Sequence, residues 1–506
     1  MGRAVCGRWA RGQRGFPQPG QSSPFLGRSL RHCLGPWPPQ CIGMSDLVRR
    51  SLEVFFHPCA QMQDMHDLPP LEVVAAQGVW LELADGRRLI DGIASWWCKS
   101  LGHGHPRLLA ALQQQAQDFE HVIAANTTHQ GLVRLCERLL ALANGQPPTA
   151  WAAAAPAGKL PGRLSRVFLA DNGSTAVEIA LKMAIQAQAQ WGAPQRRAFA
   201  CLAGGYHGES IATLSVGNCD LYSAPFRSLM FPALRLEGLP LRTGPDDPRW
   251  LDASSEWPAL EAQLKPQADH LAALVYEPVL QGAGGMRLIS PDLLPRLRSW
   301  ADAHGVLLIA DEIASGFGRC GPVLAGQLAP RPVLPDLLCC SKGLSGGVSP
   351  LSAVCLSEEI YQAFWDRYES GKSFLHSNTW TAHALGISVA NAVLDVIAEP
   401  AFEEHCQGMA ALLQAAWRDL CRSWPCLQGV RGVGMVAACD MCGLADGRRW
   451  GREVFRAGLA EGVFMRPLGN TLYVFPPLVI NAEEIEQLMR AYGRALSRVI
   501  GPPPGR

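Results

Sequence analysis

Lys342 and Asp311 are the two residues whose types and positions most clearly suggest chemistry. Lys342 follows the apolar run Leu337–Cys340 and a serine, and Asp311 comes 31 residues earlier, directly after the apolar run at 305–310. Strand ends in an α/β sheet open into the ligand crevice, so the sequence predicts an amine and a carboxylate in one cleft. A Schiff-base lysine and an aspartate that holds a protonated ring nitrogen are what pyridoxal phosphate chemistry requires.

Each of these two residues has an alternative interpretation. A single lysine is usually a solvated surface amine, but the strand before Lys342 and the glycines after it favour a pocket. Desolvation there would lower its pKa and keep it nucleophilic near neutral pH. Glu312 competes with Asp311 for the role of the carboxylate, because neighbouring residues on a strand face opposite sides. A buried acid of either kind needs a cationic partner.

A phosphate seat is predicted where the strand at 166–170 passes through a tight turn into a helix at 174–190. Gly173 allows a ligand to approach the backbone closely, and Ser174 is expected to cap the helix. The free N–H groups and the positive end of the helix dipole then favour an anion. An ordinary capped helix is the alternative.

Aromatic and basic side chains supply candidate walls for a pocket. Tyr206 lies among three glycines after a strand, and it could stack on a planar ligand or simply pack in a turn. Trp96 and Trp97 are adjacent, so on a strand one would face the core and the other a pocket. Arg466 precedes a Pro-Leu-Gly turn and could bind a carboxylate with two hydrogen bonds, unless it is a surface arginine.

Strands and helices alternate through the middle of the chain, which predicts a mainly parallel sheet covered by helices on both faces. A smaller α+β domain is expected after residue 380, and residues 78–87 are typical of a hairpin with an Asp-Gly turn. The low-complexity stretch 144–163 and the Pro- and Gly-rich stretch 236–258 are predicted to be loops. The predicted strands lie at 166–170, 198–202, 271–276, 305–310, 336–340, 430–439, 463–466 and 471–475, and the predicted helices at 106–122, 129–143, 174–190 and 291–304.

Four segments are expected from this pattern. Residues 1–43 contain six arginines and no acidic residue, and they are rich in Gly, Pro and Ser, which cannot form a core. We predict a disordered or non-native extension rather than a transit peptide, because its prolines would break the amphipathic helix. Residues 44–105 are assigned to the small domain, 106–380 to a large ligand-binding domain and 381–506 to the rest of the small domain.

Bulk composition narrows the class of protein. The chain has 506 residues, 48% of them hydrophobic and 18% charged, with a net charge of +1, so nothing favours nucleic acid or a membrane surface. No apolar run reaches about 18 residues. The 17 cysteines are scattered, which favours free thiols in a reducing cytoplasm.

No metal site is predicted. Cys439 and Cys442 form one CxxC without a second pair at zinc-finger spacing, so it is interpreted as incidental. His103 and His105 are interpreted as turn histidines, because the sequence suggests no acidic or cysteine partner for them.

Taken together, these motifs resemble the fold-type I, class III aminotransferases that use pyridoxal phosphate, from about residue 50 to 497. The most diagnostic parts are residues 308–319, followed by Ser341, Lys342 and Gly343. The resemblance implies a large domain with a mainly parallel sheet, a smaller α+β domain, and a homodimer with shared active sites. Supporting motifs are His57-Pro58, Gln61-Met62, Asp91-Gly92, Ser95 to Trp97, Gly205 to Gly208, Gln281 to Met286 and Arg466-Pro467.

The resemblance also implies a reaction. The double tryptophan and residues 281–286 favour the branch that transfers the amino group of S-adenosylmethionine to 8-amino-7-oxononanoate in biotin synthesis by a ping-pong cycle. Relatives that act on ornithine or 4-aminobutyrate are less similar in these motifs. Whether S-adenosylmethionine or lysine is the amino donor stays open.

Residue roles follow from the same resemblance. Lys342 binds the cofactor as a Schiff base and moves the substrate proton, and Asp311 keeps the pyridine nitrogen protonated. The remaining expected ligands of cofactor or substrate are Gly173 and Ser174 at the phosphate, Asn378 and Thr379 at the phosphate across the dimer interface, Tyr206, Trp96 and Ser377 in the substrate pocket, and Arg466 at the substrate carboxylate.

Two positions depart from the family pattern. Cys59 stands where the family often has an aromatic residue that contributes to substrate recognition. The segment from His376 to Trp380 replaces the usual His-Gly-Pro-Thr type of sequence but retains Thr379. We therefore expect phosphate binding to be preserved and substrate affinity or donor choice to differ.

Three alternatives compete with this prediction. The first is another class III ω-aminotransferase with a different donor or acceptor. The second is a nucleotide-binding oxidoreductase, which the absence of a GxGxxG motif disfavours. The third is an inactive binding protein on the same fold, which the lysine and aspartate disfavour.

Overall fold

The computed structural model describes residues 44–152, 162–217, 220–445 and 447–503. The predicted extension at 1–43 and residues 153–161 of the predicted loop lie outside this part of the chain. The chain divides into two units, Met1–Pro70 and Leu71–Arg506. The described part of the first unit contains the helices Asp46–Val54 and Asp64–Asp67, and Ser45 caps the first by accepting the Val48 N–H.

A seven-stranded sheet forms the centre of the second unit. Six strands are parallel, and Ser352–Ser357 runs antiparallel to both of its neighbours. The five strands predicted for this sheet are present, whereas Leu234–Leu236 and Ser352–Ser357 were not predicted. In order across the sheet the strands are Leu164–Ala170, Ser352–Ser357, Leu337–Cys340, Leu307–Asp311, Leu271–Tyr276, Ala198–Leu202 and Leu234–Leu236.

Both faces of this sheet are buried, as its apolar strands predict. Alternate residues of one strand enter different hydrophobic clusters: Leu308 and Ala310 belong to one, and Leu307 and Ile309 to the other. The helices associated with this unit before residue 400 are Pro106–Asp118, Gln130–Ala143, Pro148–Ala152, Gly173–Gln190, Ile211–Val216, Asp220–Ser223, Trp257–Leu264, Leu293–His304, Glu358–Phe364 and Ala384–Ile397. Short 3₁₀ turns lie at Ala224–Leu229, Lys265–Gln267, Ala325–Leu328, Lys342–Ser345 and Tyr368–Ser370.

The C-terminal part forms a third hydrophobic cluster around a small antiparallel sheet. This sheet contains Leu427–Val433, Val436–Met441 and Thr471–Val474, close to the predicted strands. The helices Pro400–Arg422, Trp450–Ala460 and Ala482–Ile500 pack with it, and Asn481 and Glu484 form a capping box at the start of the last. The domain boundaries proposed from the sequence stay a prediction.

Two further sheets complete the second unit. One contains Val73–Gln77, Trp80–Leu83, Arg88–Asp91 and Val463–Phe464, and it includes the predicted hairpin. The other contains Leu241–Arg242, Leu280–Gln281 and Arg287–Ile289. The prediction of a loop at 236–258 is therefore wrong in part, because Leu241–Arg242 pairs with Arg287–Ile289.

Among the described helices, none is by itself both long and apolar enough to cross a membrane. The bent pair Ala384–Ile397 and Pro400–Arg422 meets that test jointly, by length and composition only.

The tryptophan pair does not lie on a strand, contrary to the sequence-based expectation. Residues Ala94–Trp97 form one helical turn in which Ser95 and Trp96 have left-handed φ angles of 44° and 67°. Buried Asp91 holds this turn by accepting hydrogen bonds from the Ser95 backbone at 3.0 Å and hydroxyl at 2.6 Å. Such backbone conformations are costly for non-glycine residues and persist only where surrounding contacts impose them.

His103 completes the anchor of this turn. Its Nε2 lies 2.9 Å from Asp91 Oδ2, so the prediction that it has no acidic partner is wrong. As a result of the turn, Trp97 is buried whereas Trp96 remains 40% exposed. One tryptophan therefore lies in the core, as expected, and the expected place of the other in the wall of a pocket stays a prediction.

Candidate active site

Five parallel strands of the large sheet end at the same edge and bring most candidate residues together. Residues from different strand ends, which are between 31 and 169 positions apart in the chain, meet there because the carboxyl ends of parallel strands share one edge. The strand ends are followed by Gly173 and Ser174, by Tyr206 and His207, by Glu277, by Asp311 itself as the last strand residue, and by Lys342.

Lys342 is the first residue of the 3₁₀ turn after its strand, and it has a left-handed φ of 41°. Its side-chain nitrogen lies 5.3 Å from the ring centre of Trp97. In the described part of the chain this amine has no hydrogen-bond or ion-pair partner. Burial lowers the pKa of Lys342, and the charges of Asp311 and Glu277 oppose that effect only in part. A neutral amine, which can act as nucleophile or base, is therefore more populated than in a solvated lysine.

Asp311 is buried and paired with His207. His207 Nδ1 lies 2.8 Å from Asp311 Oδ2, and Asp311 Oδ1 accepts the Ile313 N–H at 3.0 Å. Burial alone would lower the pKa of His207, but the hydrogen bond and charge of Asp311, with the charge of Glu277, outweigh it and raise this pKa. The imidazole of His207 thus supplies the cationic partner that a buried carboxylate requires.

His207 was missed by sequence reasoning. Its only sequence signal is its place beside Tyr206 in the glycine-rich run after a strand. Its Nε2 is buried and has no hydrogen-bond partner among the described residues.

Glu277 is a second buried carboxylate of the site that the sequence did not assign a role. It accepts the backbone N–H groups of Tyr206 and Gly282, each at 3.0 Å. Burial raises the pKa of Glu277 to about 7. This residue therefore joins two loops of the site and holds a proton more readily than an ordinary glutamate.

Glu312 points into a different environment from Asp311. Its carboxylate accepts the Ser315 hydroxyl at 2.7 Å and the backbone N–H groups of Ala325 and Gly326 at 3.0 and 2.7 Å. Burial raises the pKa of Glu312 to about 7. The geometry thus favours Asp311 over Glu312 as the carboxylate of the site, and it makes Glu312 an anchor for the 3₁₀ turn Ala325–Leu328.

The predicted phosphate seat lies at the start of the 18-residue helix Gly173–Gln190. Asn172, not Ser174, is the N-cap, because its side chain accepts the Thr175 N–H at 3.0 Å. Ser174 Oγ instead accepts the Glu209 N–H at 3.3 Å. Gly208 has a φ of 132°, and a β-carbon there would overlap the Ser174 hydroxyl. The first turn of a helix leaves N–H groups without intrahelical acceptors, so Gly173 and Ser174 can offer theirs to an anion.

The substrate-pocket candidates fall into two groups. The Arg466 guanidinium lies 4.8 Å from the ring centre of Trp96, so these two residues are together. Tyr206 donates its hydroxyl hydrogen to Glu209 at 2.9 Å and packs edge-on against Tyr222 at 5.6 Å. Trp96 and Tyr206 are not joined by a described contact.

The segment around residue 378 lies apart from the Lys342 group. Ser377 and Thr379 are exposed, and Asn378 is half-buried. Asn378 accepts the Thr381 hydroxyl at 2.8 Å and donates its backbone N–H to the same oxygen at 3.3 Å. Between these residues and Lys342 the described structure contains no contact, so their predicted roles depend on a second chain and stay predictions.

Cys59 belongs to the first unit. It is exposed and has a left-handed φ of 50°. Its predicted contribution to substrate binding stays a prediction.

Comparisons with known proteins identify the family of the chain. The model of the aminotransferase class-III family matches residues 61–496. An adenosylmethionine-8-amino-7-oxononanoate aminotransferase from Synechococcus elongatus is 38% identical over 450 residues, which cover 87% of this chain and 98% of the relative.

Two solved structures have the same fold. An adenosylmethionine-8-amino-7-oxononanoate aminotransferase from Methanocaldococcus jannaschii superposes with a TM-score of 0.78 at 26% identity, covering 90% of this chain and 99% of the other. An amine transaminase from an uncultivated Pseudomonas species, solved with PLP bound, gives a TM-score of 0.77 at 29% identity, covering 88% and 99%. The protein has the fold-type I architecture, and the chain belongs to the class III aminotransferase family.

Proposed function

We propose that the protein is a pyridoxal-phosphate-dependent aminotransferase of biotin synthesis. The observation that carries this proposal is the meeting of the Lys342 amine with the buried Asp311–His207 pair at one sheet edge. The helix start at Gly173 lies at the same edge. An amine, a buried carboxylate and an anion seat are the three groups that a phosphorylated pyridine aldehyde needs.

The residues present fit that cofactor. The Lys342 amine is partly buried, has a lowered pKa and is without a polar partner in the described structure. A β-carbon on Gly173 would lie 3.0 Å from Ile313, and one on Gly208 would overlap Ser174, so the seat tolerates no larger residue without rearrangement. When bound, the cofactor supplies an electron sink for the carbon that loses its proton.

The chain's own residues provide the remaining functions. Asp311, supported by His207, would hold the ring nitrogen of the cofactor, and the N–H groups of Gly173 and Ser174 would bind its phosphate. The Lys342 amine takes the proton from the substrate carbon that carries the amino group and later returns one. The Trp97 ring and the burial of the crevice exclude water from that amine.

For the substrates, we propose transfer of the amino group of S-adenosylmethionine to 8-amino-7-oxononanoate. Support comes from the similarity to two adenosylmethionine-8-amino-7-oxononanoate aminotransferases and from the contact of Arg466 with Trp96. Arg466 is suited to bind the carboxylate of the acceptor through two hydrogen bonds, and Trp96 offers an apolar face beside it. Lysine is the alternative donor.

We also propose that the enzyme works as a homodimer in the cytoplasm. Asn378 and Thr379 then bind the cofactor phosphate of the opposite active site. Support for the dimer comes from large apolar side chains near that segment that are strongly exposed in the single chain. Tyr368 is 85% exposed, Leu375 is 89% exposed and Trp380 is 52% exposed.

The assay that tests the substrates incubates purified protein with 8-amino-7-oxononanoate and either S-adenosylmethionine or lysine. Formation of 7,8-diaminononanoate is followed by mass spectrometry. We expect product with S-adenosylmethionine and none from the Lys342→Ala variant. Growth of a biotin auxotroph that lacks this step provides the test in cells.

A second candidate is a transaminase that uses other amines, which the similarity to the Pseudomonas amine transaminase favours. High turnover with pyruvate or 2-oxoglutarate, and none with 8-amino-7-oxononanoate, would establish this alternative and overturn the proposed acceptor.

A further inference from the structure

We propose that Arg431 and Asp440 form a clamp that positions the acceptor pocket. The clamp holds the loop at 282–286 against the turn that follows Arg466. This inference rests on the proposed function, because it assigns Arg431 and Asp440 to positioning the residues that bind the carboxylate of the acceptor. Both act as positioning residues through other groups.

Arg431 reaches from the small antiparallel sheet to the loop at 282–286. Its Nε donates to the Met286 carbonyl at 3.0 Å and its Nη2 to the Gly285 carbonyl at 2.6 Å. The same guanidinium donates two hydrogen bonds to Asp440, from Nη1 at 2.8 Å and from Nη2 at 3.0 Å. The Arg431 side chain is only 10% exposed, so these are well-shielded, charge-assisted bonds.

Asp440 connects the clamp to the other side of the pocket. Its Oδ1 accepts the Thr471 hydroxyl at 2.6 Å. Thr471 exchanges two backbone hydrogen bonds of 3.0 Å with Leu468, which closes the turn directly after Arg466. The position of the Arg466 turn is therefore tied to Asp440 through one hydroxyl.

The loop at 282–286 forms part of the wall around Lys342. Gly282 donates its N–H to Glu277, and a β-carbon on Gly282 would lie 3.2 Å from the Trp97 ring. A β-carbon on Gly284 would overlap the carbonyl of Gly204, two residues before Tyr206. A shift of this loop would therefore move the surroundings of Trp97 and of the Tyr206 turn together.

Lysine cannot replace Arg431 in this arrangement. The guanidinium presents donors in a fixed plane and meets three carbonyls, those of Gly285, Met286 and Gly429, and a carboxylate at once, whereas an ammonium group is a single point. In the described structure, Arg431 makes no contact with Lys342, Asp311 or Gly173. Loss of the clamp should thus loosen the acceptor's carboxylate site and leave cofactor loading intact.

The test compares Arg431→Lys and Thr471→Val with the wild-type holoenzyme. Thr471→Val removes only the hydroxyl that connects Asp440 to the Arg466 turn, so it remains informative if Arg431→Lys folds poorly. Arg490→Lys is the matched control, because Arg490 pairs with Glu486 at 2.6 Å on an exposed helix face. Each protein is assayed with 8-amino-7-oxononanoate and with its methyl ester, and visible absorption measures bound cofactor.

We expect both variants to raise KM for the free acid about tenfold, to change kcat less than about threefold and to retain the cofactor absorption of the wild type. KM for the methyl ester and the behaviour of Arg490→Lys should stay unchanged. An unchanged KM for the acid, or an equal rise in KM for acid and ester, would overturn the clamp.

Absence of turnover in the wild type would instead overturn the proposed function. In that case, binding of nonanoate to the holoenzyme by calorimetry decides on the clamp, which predicts about tenfold weaker binding in both variants.

Discussion

Two regions of the molecule differ in how deeply their candidate ligand-binding residues are buried. One is the crevice at the carboxyl edge of the large sheet, and the other is the segment at 376–380. In the crevice, Asp311 and His207 are buried and hydrogen-bonded to each other. In the segment, Ser377 and Thr379 are exposed, and their neighbour Trp380 is 52% exposed. The first group is held together within one chain, whereas the second would be completed by the partner subunit of the proposed homodimer.

This difference has a physical origin. A buried carboxylate must be paired or hydrogen-bonded, because an uncompensated charge in the interior would destabilise the fold by several kcal/mol. An exposed threonine or serine has no such requirement, since water satisfies its hydroxyl. Residues that complete a site across an interface can therefore stay solvated until the partner arrives.

Removal of the amine of Lys342 gives the largest expected effect on the crevice. Lys342→Ala should lower kcat by at least about a thousandfold, because it deletes both the nucleophile and the proton-transfer group. Lys372→Ala is the control, since Lys372 is half-buried and its ammonium group pairs with Asp366 at 2.7 Å. Comparable activity of Lys342→Ala and Lys372→Ala would break the assignment of the crevice as the active site.

Separate substitution of the two neighbouring acids, Asp311 and Glu312, decides which of them serves the cofactor. Asp311→Asn should reduce kcat about a hundredfold or more, because a neutral amide stabilises a protonated ring nitrogen less. Glu312→Gln should mainly lower the thermal midpoint, since Glu312 binds backbone N–H groups of Ala325 and Gly326. Steady-state kinetics and thermal unfolding of both variants check this, and the reverse pattern would assign the role to Glu312.

Removal of the Thr379 hydroxyl tests the predicted role of the segment at 376–380. Thr379→Val should weaken cofactor binding about tenfold, as expected for one lost hydrogen bond to a charged group. Ser373→Ala is a control in the neighbouring exposed segment. Cofactor titrations at several protein concentrations measure the effect, which should depend on the dimer fraction. Equal affinities for Thr379→Val and Ser373→Ala would place Thr379 outside the cofactor site.

The smallest effect concerns the pH dependence of stability. Burial raises the pKa of Glu277 from its usual 4.5 to about 7, so the folded state binds this proton more tightly than the unfolded state. Its contribution is therefore favourable below about pH 4.5 and is lost as the pH rises towards 7, by about 1–3 kcal/mol. Glu277→Gln should flatten this decline in urea unfolding between pH 5 and 8. An unchanged slope would show that Glu277 is not the responsible group.

The large sheet and its edge residues were predictable because local patterns carry them. Lys342 and Asp311 each follow an apolar run, and parallel strands bring such ends together whatever their distance in the chain. The antiparallel strand Ser352–Ser357 was not predicted, because the serines at its two ends shorten the apolar run to four residues.

The errors arise from side chains that override local patterns. Two adjacent tryptophans are typical of a strand, but Asp91 and His103 impose a left-handed turn on them. Ser174 is a good capping residue, yet Asn172 occupies the position from which the Thr175 N–H can be reached. His207 was missed because its partner lies 104 residues away and meets it only in the folded sheet.

Under the proposed function, the Lys342 amine is the attachment point of the cofactor. The most direct measurement is reduction of the cofactor-loaded protein with borohydride, followed by peptide mapping by mass spectrometry. The chain has only six lysines, so the modified position can be assigned without ambiguity. We predict a single modification, on Lys342. Modification of any other lysine in place of Lys342 would show that Lys342 is not the attachment point.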